Sequence, residues 1–456
     1  MSDGREAATR VLLRVTDEGA YAAAVLDAEI RRAGLDRRDA ALATEIVYGT
    51  LRALGAVDAA LGAFLTRPGE KLDAHTRAAL RAATYQILCL ARVPPHAAVD
   101  AAVGIVRRKR GPKLAGLANA VLRKVAATRP AEPAPPVRLA APAWLERSLR
   151  EALGEARASA FLEARELPPP VGLRVERGTR EELVEAIHAA RPDARVSLGE
   201  ISPLAVLVRG AGDPRALPGY ADGVFAIQEQ GAQAVALLAG ARPGERVADA
   251  CAGRGGKTTL FARLTSGPGP RVTFESCTLT SGPGPRVSAL DVHESKLERI
   301  GEELARLGIP RESVETRAVD LTVGTGGIDG TMDRVIVDAP CTGLGTVHRR
   351  PEILLRVGPD DPARMAELQV AILRNASRML RPGGVLVYAV CSPTRAEGTG
   401  VAEAVAREIP ALVPVPPDEP WLLDTVAPDA DGIVRIGPWT GDADAYQVIR
   451  WTRATA

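Results

Sequence analysis

Cysteine is scarce in this chain and never paired in sequence. The five residues in 456 (Cys89, Cys251, Cys277, Cys341 and Cys391) form no C-x-x-C pair, which argues against a zinc ribbon or a disulfide framework, so no metal is expected. Any chemistry they carry is thiolate chemistry. Long apolar runs are missing too: no segment offers the ~18 uninterrupted apolar residues that a membrane helix needs. The N-terminal MSDGREAATR has no apolar signal core, so the expectation is a cytoplasmic protein without a membrane partner. A third absence is local. From Ala101 to Pro130 there is no acidic residue, while Arg107, Arg108, Lys109, Arg110, Lys113, Arg123, Lys124 and Arg129 are basic.

That run belongs to a wider asymmetry. Residues 1–130 hold 21 Lys plus Arg against 13 Asp plus Glu, a net +8 inside a chain whose total is +2. A polyanion partner fits this imbalance, and a solvated helix face is the plainer reading of the run itself. With 46% apolar and 25% charged residues, composition is that of an ordinary globular protein. At 456 residues the chain exceeds the roughly 250 to 300 at which single cores stop growing, so two or three folding units are expected.

The first ~125 residues carry helical periodicity and no strand-like alternation. Ala8, Val11, Leu12 and Val15 share a face, as do Leu80, Ala83, Ile87 and Leu90, and again Leu114, Leu117, Ala118, Val121 and Val125. The Pro-rich ATRPAEPAPPVRLAAP then cannot continue a helix. The expected organisation is an all-α domain over 1–130, a linker over 131–142, a small α/β unit over 143–240 and an α/β domain over 241–456. The small unit has strand candidates at 171–176 and 204–210 around a helix at 180–190. From 241 onward strands and helices alternate, which predicts a doubly wound, largely parallel sheet. The sequence LTSGPGPRV occurs at 264–272 and again at 279–287, and reads as a tandem duplication lengthening one crossover by 15 residues.

Chemistry concentrates at three strand ends. GERVADACAGRGGKTTL places a glycine-rich turn after a short strand, where backbone can approach a ligand at the carboxyl edge of the sheet. Gly256-Lys257-Thr258 resembles the end of a P-loop, but that motif needs glycine where Cys251 stands. The other ligand that suits the turn is S-adenosyl-L-methionine, with a later acid for the ribose hydroxyls; Asp291 and Asp320 are placed for it, although both could be simple turn formers. DRVIVDAPCTGLG brings Asp338 and Cys341 to the same edge, and GVLVYAVCSPTRAEG brings Cys391. A lone Cys is usually an inert core residue, but two at neighbouring strand ends beside an acid suggest nucleophilic chemistry. Such a thiolate suits methylation at carbon 5 of cytosine: addition at carbon 6 makes carbon 5 nucleophilic, and a carboxyl group can stabilise charge developing on the ring.

DACAGRGGKT, DAPCTGLG and YAVCS, in that order, resemble the motifs of the NOL1/NOP2/Sun family of RNA cytosine-C5 methyltransferases, in particular its bacterial 16S rRNA branch. The N-terminal helices, ending in GLANAVLRKV, resemble the antitermination factor NusB, and LPGYADGVFAIQEQGAQ at 217–233 resembles the family's approach to its cofactor domain. The likeness covers nearly the whole chain. It implies a multidomain fold, with an all-α NusB-like domain and a Rossmann-like methyltransferase domain preceded by a small α/β subdomain. It implies that Cys391 is the nucleophile, that Cys341 assists product release and that Asp338 contacts the target base. Ala250, Cys251, Ala252, Gly253, Gly255, Gly256, Lys257, Asp291, Asp320 and Asp338 would bind S-adenosyl-L-methionine, with Lys257 near its methionine end or near Asp338. Arg107, Arg108, Lys109, Arg110, Lys113 and Arg350 would contact 16S rRNA, the protein acting as a monomer. Two residues depart from the family pattern: Arg254 replaces a proline in the turn and Val390 a threonine before the nucleophile. An alternative reading is a non-catalytic NusB-like RNA-binding or antitermination protein with a degenerate methyltransferase part; the intact Asp338, Cys341 and Cys391 count against decay.

Overall fold

A computed structural model describes residues 4–65, 72–135, 139, 141–163, 169–266, 286–417, 419 and 425–455. Most of the duplicated LTSGPGPRV sequence, and Cys277, lie outside the described residues. The chain divides into two compact units. The first comprises Met1–Glu146, Leu162–Leu167 and Val347–Gly358; the second holds Arg147–Phe161, Pro168–Thr346 and Pro359–Ala456.

Among the described residues, seven α-helices lie wholly in the first unit: α1 (Gly4–Asp17), α2 (Ala22–Ala33), α3 (Arg37–Arg52), α4 (Leu54–Gly62), α5 (Ala74–Cys89), α6 (Pro95–Arg110) and α7 (Pro112–Ala127). Their limits follow from capping chemistry. Asp36 and Asp73 accept from backbone N–H groups in the first turns of α3 and α5, Pro95 and Pro112 open α6 and α7, and Gly34 closes α2 in the left-handed region at φ 58°. The expected faces are the core faces. Ala8, Val11, Leu12 and Val15 are buried together, and so are Leu80, Ala83, Ile87, Ala118, Val121 and Val125, each large side chain contributing about 1.5 to 3 kcal/mol. The segment Val347–Gly358 packs here through Glu352, which is 1% exposed and accepts from the N–H of Ala22 at 3.2 Å. Arg356 donates to the carbonyls of Gly19 and Ala20 and lies 4.1 Å from the Tyr21 ring centroid. No single helix among the described residues is long and apolar enough to cross a membrane.

Helix α8 (Ala143–Leu162), broken at Gly154 where φ is 75°, leads into a four-stranded antiparallel sheet. Its strands are β1 (Val171–Val175), β2 (Arg195–Leu198), β3 (Ala205–Arg209) and β4 (Phe225–Ile227) in the order β2-β3-β1-β4, with α9 (Arg180–Ala190) carrying a capping box at Thr179 and Glu182. Helix α10 (Gln230–Leu237) follows.

The main sheet uses β5 (Val247–Asp249), β6 (Val287–Asp291), β7 (Val314–Ala318), β8 (Met332–Asp338), β9 (Leu380–Val390), β10 (Leu412–Pro414), β11 (Val434–Ile436) and β12 (Tyr446–Arg453). Its order is β10-β12-β9-β8-β5-β6-β7, with β11 paired to β12. The five strands from β5 to β9 run parallel; the three C-terminal strands add an antiparallel edge that the sequence pattern did not reveal. Helices α11 (Thr258–Thr265), α12 (Glu294–Leu307), α13 (Asp361–Met379) and α14 (Thr399–Glu408) complete the doubly wound arrangement. The order reverses on either side of β5, and that switch point opens a crevice at the carboxyl ends of the strands.

Candidate active site

Register brings the chemical groups together. Asp249 ends β5 opposite Ala289 of β6 and Ile336 of β8, while Asp338 ends β8 opposite Ala389 of β9. The loops after β5, β6, β8 and β9 therefore leave from one edge. A pocket of about 220 Å³ opens there, lined by Gln228, Asp249, Cys251, Ala252, Gly253, Arg254, Gly256, Lys257 and Asp338.

The glycine turn is shaped by positive φ: Gly253 sits at 56° and Gly255 at 84°. A side chain at Gly253 would meet nothing within 4 Å, so the backbone faces open space where a ligand can approach. Asp291 holds the turn from below. Its Oδ2 accepts from the N–H of Gly253 at 3.0 Å and its Oδ1 from that of His293 at 2.9 Å, with Lys296 Nζ at 3.4 Å. Asp249 is fully buried; its Oδ2 accepts from Thr258 Oγ1 at 2.7 Å, and its Oδ1 has no hydrogen-bond partner among the described residues. Burial pushes its pKa up to about 6. An unsatisfied buried oxygen bordering the pocket calls for a ligand that brings a donor, and an acid facing a glycine turn suits the ammonium and carboxylate of an amino-acid moiety. The residues fit the methionine end of S-adenosyl-L-methionine.

Lys257 Nζ lies 2.6 Å from Asp338 Oδ2, fulfilling the expectation that this lysine is near Asp338. Burial works against its charge, but the carboxylate outweighs burial and holds the lysine pKa above its ordinary value. Cys341 and Cys391 come together at the ends of β8 and β9, their sulfurs 3.3 Å apart. The hydrogen bond with Cys391, then burial, raises the Cys341 thiol well above its usual range. Cys251 is a different case. Burial first, then the Asp249 carboxylate, pushes its thiol up, which makes it a poor thiolate.

Neither Asp320 nor Arg350 is among the residues that line the pocket. Asp320 is exposed two residues beyond β7, its Oδ1 accepting from the N–H and Oγ1 of Thr322. Arg350 is exposed in the first unit, 5.8 Å from the Tyr21 ring centroid. Arg107, Arg108, Lys109, Arg110 and Lys113 are exposed at the end of α6 and the start of α7, with Arg108 paired to Glu6 and Arg110 to Asp73.

Other residues were missed by the sequence reading. Arg174 in β1 is fully buried, paired with Glu176, and donates to the Gly256 carbonyl at 2.6 Å and to Thr259 Oγ1 at 2.8 Å, thereby bracing the glycine turn. Gln447 in β12 donates to the carbonyls of Ser392 and Thr394, both at 2.8 Å, and so ties down the loop after Cys391. Glu397, six residues past Cys391, is also fully buried. A Glu in SPTRAEG reads as surface; the only signal was its closeness in sequence to Cys391.

A doubly wound sheet with a ligand-accepting turn at its switch point, joined to a seven-helix region, defines a Rossmann-like α/β methyltransferase with a NusB-like N-terminal part. Residues 2–127 match the NusB family and residues 236–446 match the family described as 16S rRNA methyltransferase RsmB/F. A methyltransferase of Mycobacterium tuberculosis is 36% identical over 430 residues, 89% of this chain and 87% of that protein. Ribosomal RNA small subunit methyltransferase B of Xylella fastidiosa is 35% identical over 425 residues, 92% of each. The crystal structure of PH0851 shares the fold with a TM-score of 0.78 at 21% identity, covering 99% of each chain. The chain belongs to the RsmB/F family of 16S rRNA methyltransferases and carries the NusB-like domain at its N-terminal side.

Proposed function

We propose that this protein methylates carbon 5 of a cytosine in 16S rRNA through a covalent adduct between Cys391 and carbon 6 of the base. The observation that carries the reading is the pair of sulfurs 3.3 Å apart at the ends of adjacent parallel strands, beside the Lys257–Asp338 pair and the glycine turn. S-adenosyl-L-methionine, when bound, supplies an electrophilic methyl carbon. The residues of the chain do the rest. As the thiolate, Cys391 attacks carbon 6 and turns carbon 5 into a nucleophile, with the Cys341 sulfur 3.3 Å away. Asp338, oriented by Lys257, meets the N3 edge of the base, and a proton donated from this pair to N3 stabilises the negative charge that develops on the ring as Cys391 adds. Loss of the carbon 5 proton and expulsion of Cys391 then release the product, a step to which Cys341 is close enough to contribute. The exposed Arg107, Arg108, Lys109, Arg110 and Lys113, together with Arg350, grip RNA phosphate, which positions the substrate without specifying the base. Residues 1–130 act as the RNA-binding domain and 241–456 as the catalytic domain. Asp291 supports the cofactor turn, and with Asp320 it holds the cofactor.

The test is incubation with labelled S-adenosyl-L-methionine and unmodified small-subunit rRNA, followed by mapping of 5-methylcytosine. The expected result is one labelled cytosine, lost in Cys391→Ser by more than about a thousandfold while RNA binding persists. Tight RNA binding with no label would move the assignment to a non-catalytic RNA-binding role.

A further inference from the structure

The geometry points to Glu397 as a positioning residue that sets the spacing of the two cysteines, an inference that rests on the covalent reading above. Its carboxylate is fully buried and shared between the two cysteine-bearing loops. Oε1 accepts from the N–H of Thr342 at 2.9 Å and from Gln369 Nε2 at 3.1 Å. Oε2 accepts from Thr342 Oγ1 at 2.6 Å, from Ser392 Oγ, and from Thr394 Oγ1 at 3.2 Å. Thr342 immediately follows Cys341, and Ser392 immediately follows Cys391. One side chain therefore clamps the residue next to each sulfur.

Burying a carboxylate is expensive unless every lone pair is used, and a hydrophobic side chain would fill the same space at lower cost. Here five donors converge on two oxygens, three of them from the loop residues beside the cysteines. Among the described residues no other side chain bonds to both Thr342 and Ser392, whose hydroxyl oxygens lie 3.2 Å apart. Removing the clamp leaves the strands in place but frees the loops, so the sulfurs should drift from their 3.3 Å separation. Displacement of reacting groups by about 1 Å costs on the order of a hundredfold in rate. The loss belongs in turnover, because Glu397 does not line the cofactor pocket.

The experiment compares the full-length protein with Glu397→Ala and Glu397→Gln. Its first readout needs no methylation: diamide takes two hydrogens from the thiols of Cys341 and Cys391 and leaves a disulfide, whose rate of formation is followed by peptide mapping. The second is steady-state methylation of small-subunit rRNA, with S-adenosyl-L-methionine affinity measured separately and thermal melting checking the fold. Glu397→Ala is expected to slow disulfide formation at least about fivefold and kcat at least about tenfold, with cofactor Kd within twofold. Glu397→Gln, which keeps shape and can still bridge both loops, recovers part of each. Disulfide rate and kcat within twofold of the unsubstituted protein in folded Glu397→Ala overturn the inference, and so does a kcat loss fully matched by weaker cofactor binding. Absence of 5-methylcytosine from the unsubstituted protein would instead sink the covalent reading, while the disulfide comparison would still judge the clamp.

Discussion

Cys341 and Asp249 are the two residues whose surroundings lead most directly to measurement. The Cys341 thiol is raised and its sulfur lies 3.3 Å from that of Cys391, and in the covalent mechanism proposed above it helps the product leave. Cys341→Ala should therefore accumulate a protein–RNA adduct that survives denaturing electrophoresis; only free protein on such a gel would remove Cys341 from product release. Asp249 answers to pH. Its folded pKa of about 6 lies above the unfolded value of about 3.9, so the native state binds more protons between them. The stability this group contributes is fully present below about pH 4 and is lost as pH rises through 6, a change of about 3 kcal/mol. Cofactor-free Asp249→Asn should lack that loss, and urea unfolding at pH 4.5 and pH 8 should show a smaller decline than in the unsubstituted protein. An identical decline in both would refute the assignment. The three strand-end motifs made Cys341, Cys391, Asp338 and Lys257 legible as a cluster, because apolar strands followed by acid, thiol or glycine announce a carboxyl edge. Glu397 and Arg174 were not legible, since a charged residue's burial depends on partners distant in sequence, such as Gln369 and Gly256.

At the scale of elements, the loop after β8 shows how closely backbone must pack around Cys391. The N–H of Gly345 donates to the Cys391 carbonyl at 2.9 Å, and the Ala445 N–H donates to the Gly345 carbonyl at 3.0 Å. A Cβ at position 345 would lie 2.1 Å from the Ala445 carbonyl oxygen and 2.9 Å from that of Cys391, both of them backbone atoms that cannot swing away. Gly345→Ala should destabilise the protein by about 1 to 3 kcal/mol and lower kcat with cofactor affinity nearly unchanged; unaltered melting and turnover would show that the loop tolerates the shift. Helix α9 and the parallel strands β5 to β9 could be read from period and turn chemistry. The antiparallel strands β10 to β12 could not: β10 and β11 are three residues each, too short for a periodic signal, and β12 earns its place by pairing with β9. Gln447 reaches the Cys391 loop only because of that pairing.

At the scale of the whole molecule, charge is divided as function would require. Residues 1–130 carry a net +8, and the exposed end of α6 concentrates it. Replacing Arg107, Arg108 and Lys109 together by Ala should weaken rRNA binding and flatten the slope of log K against log salt by roughly 2, at about 0.7 to 0.9 per phosphate contact. A binding curve and slope unchanged across 50 to 200 mM salt would return the run to the status of a solvated face. Melting temperature should not move, because these side chains cover no core.

By itself the sequence determined the helical region, the doubly wound sheet and the strand-end chemistry, because each is local: periodicity, capping residues and motifs lie within a few turns of chain. Tertiary structure decided the rest. It set the 3.3 Å meeting of two sulfurs fifty residues apart, and it buried Glu397 between their loops. It also packed Val347–Gly358 with the N-terminal helices. Those outcomes depend on strand order and close packing among distant segments, which no local pattern encodes.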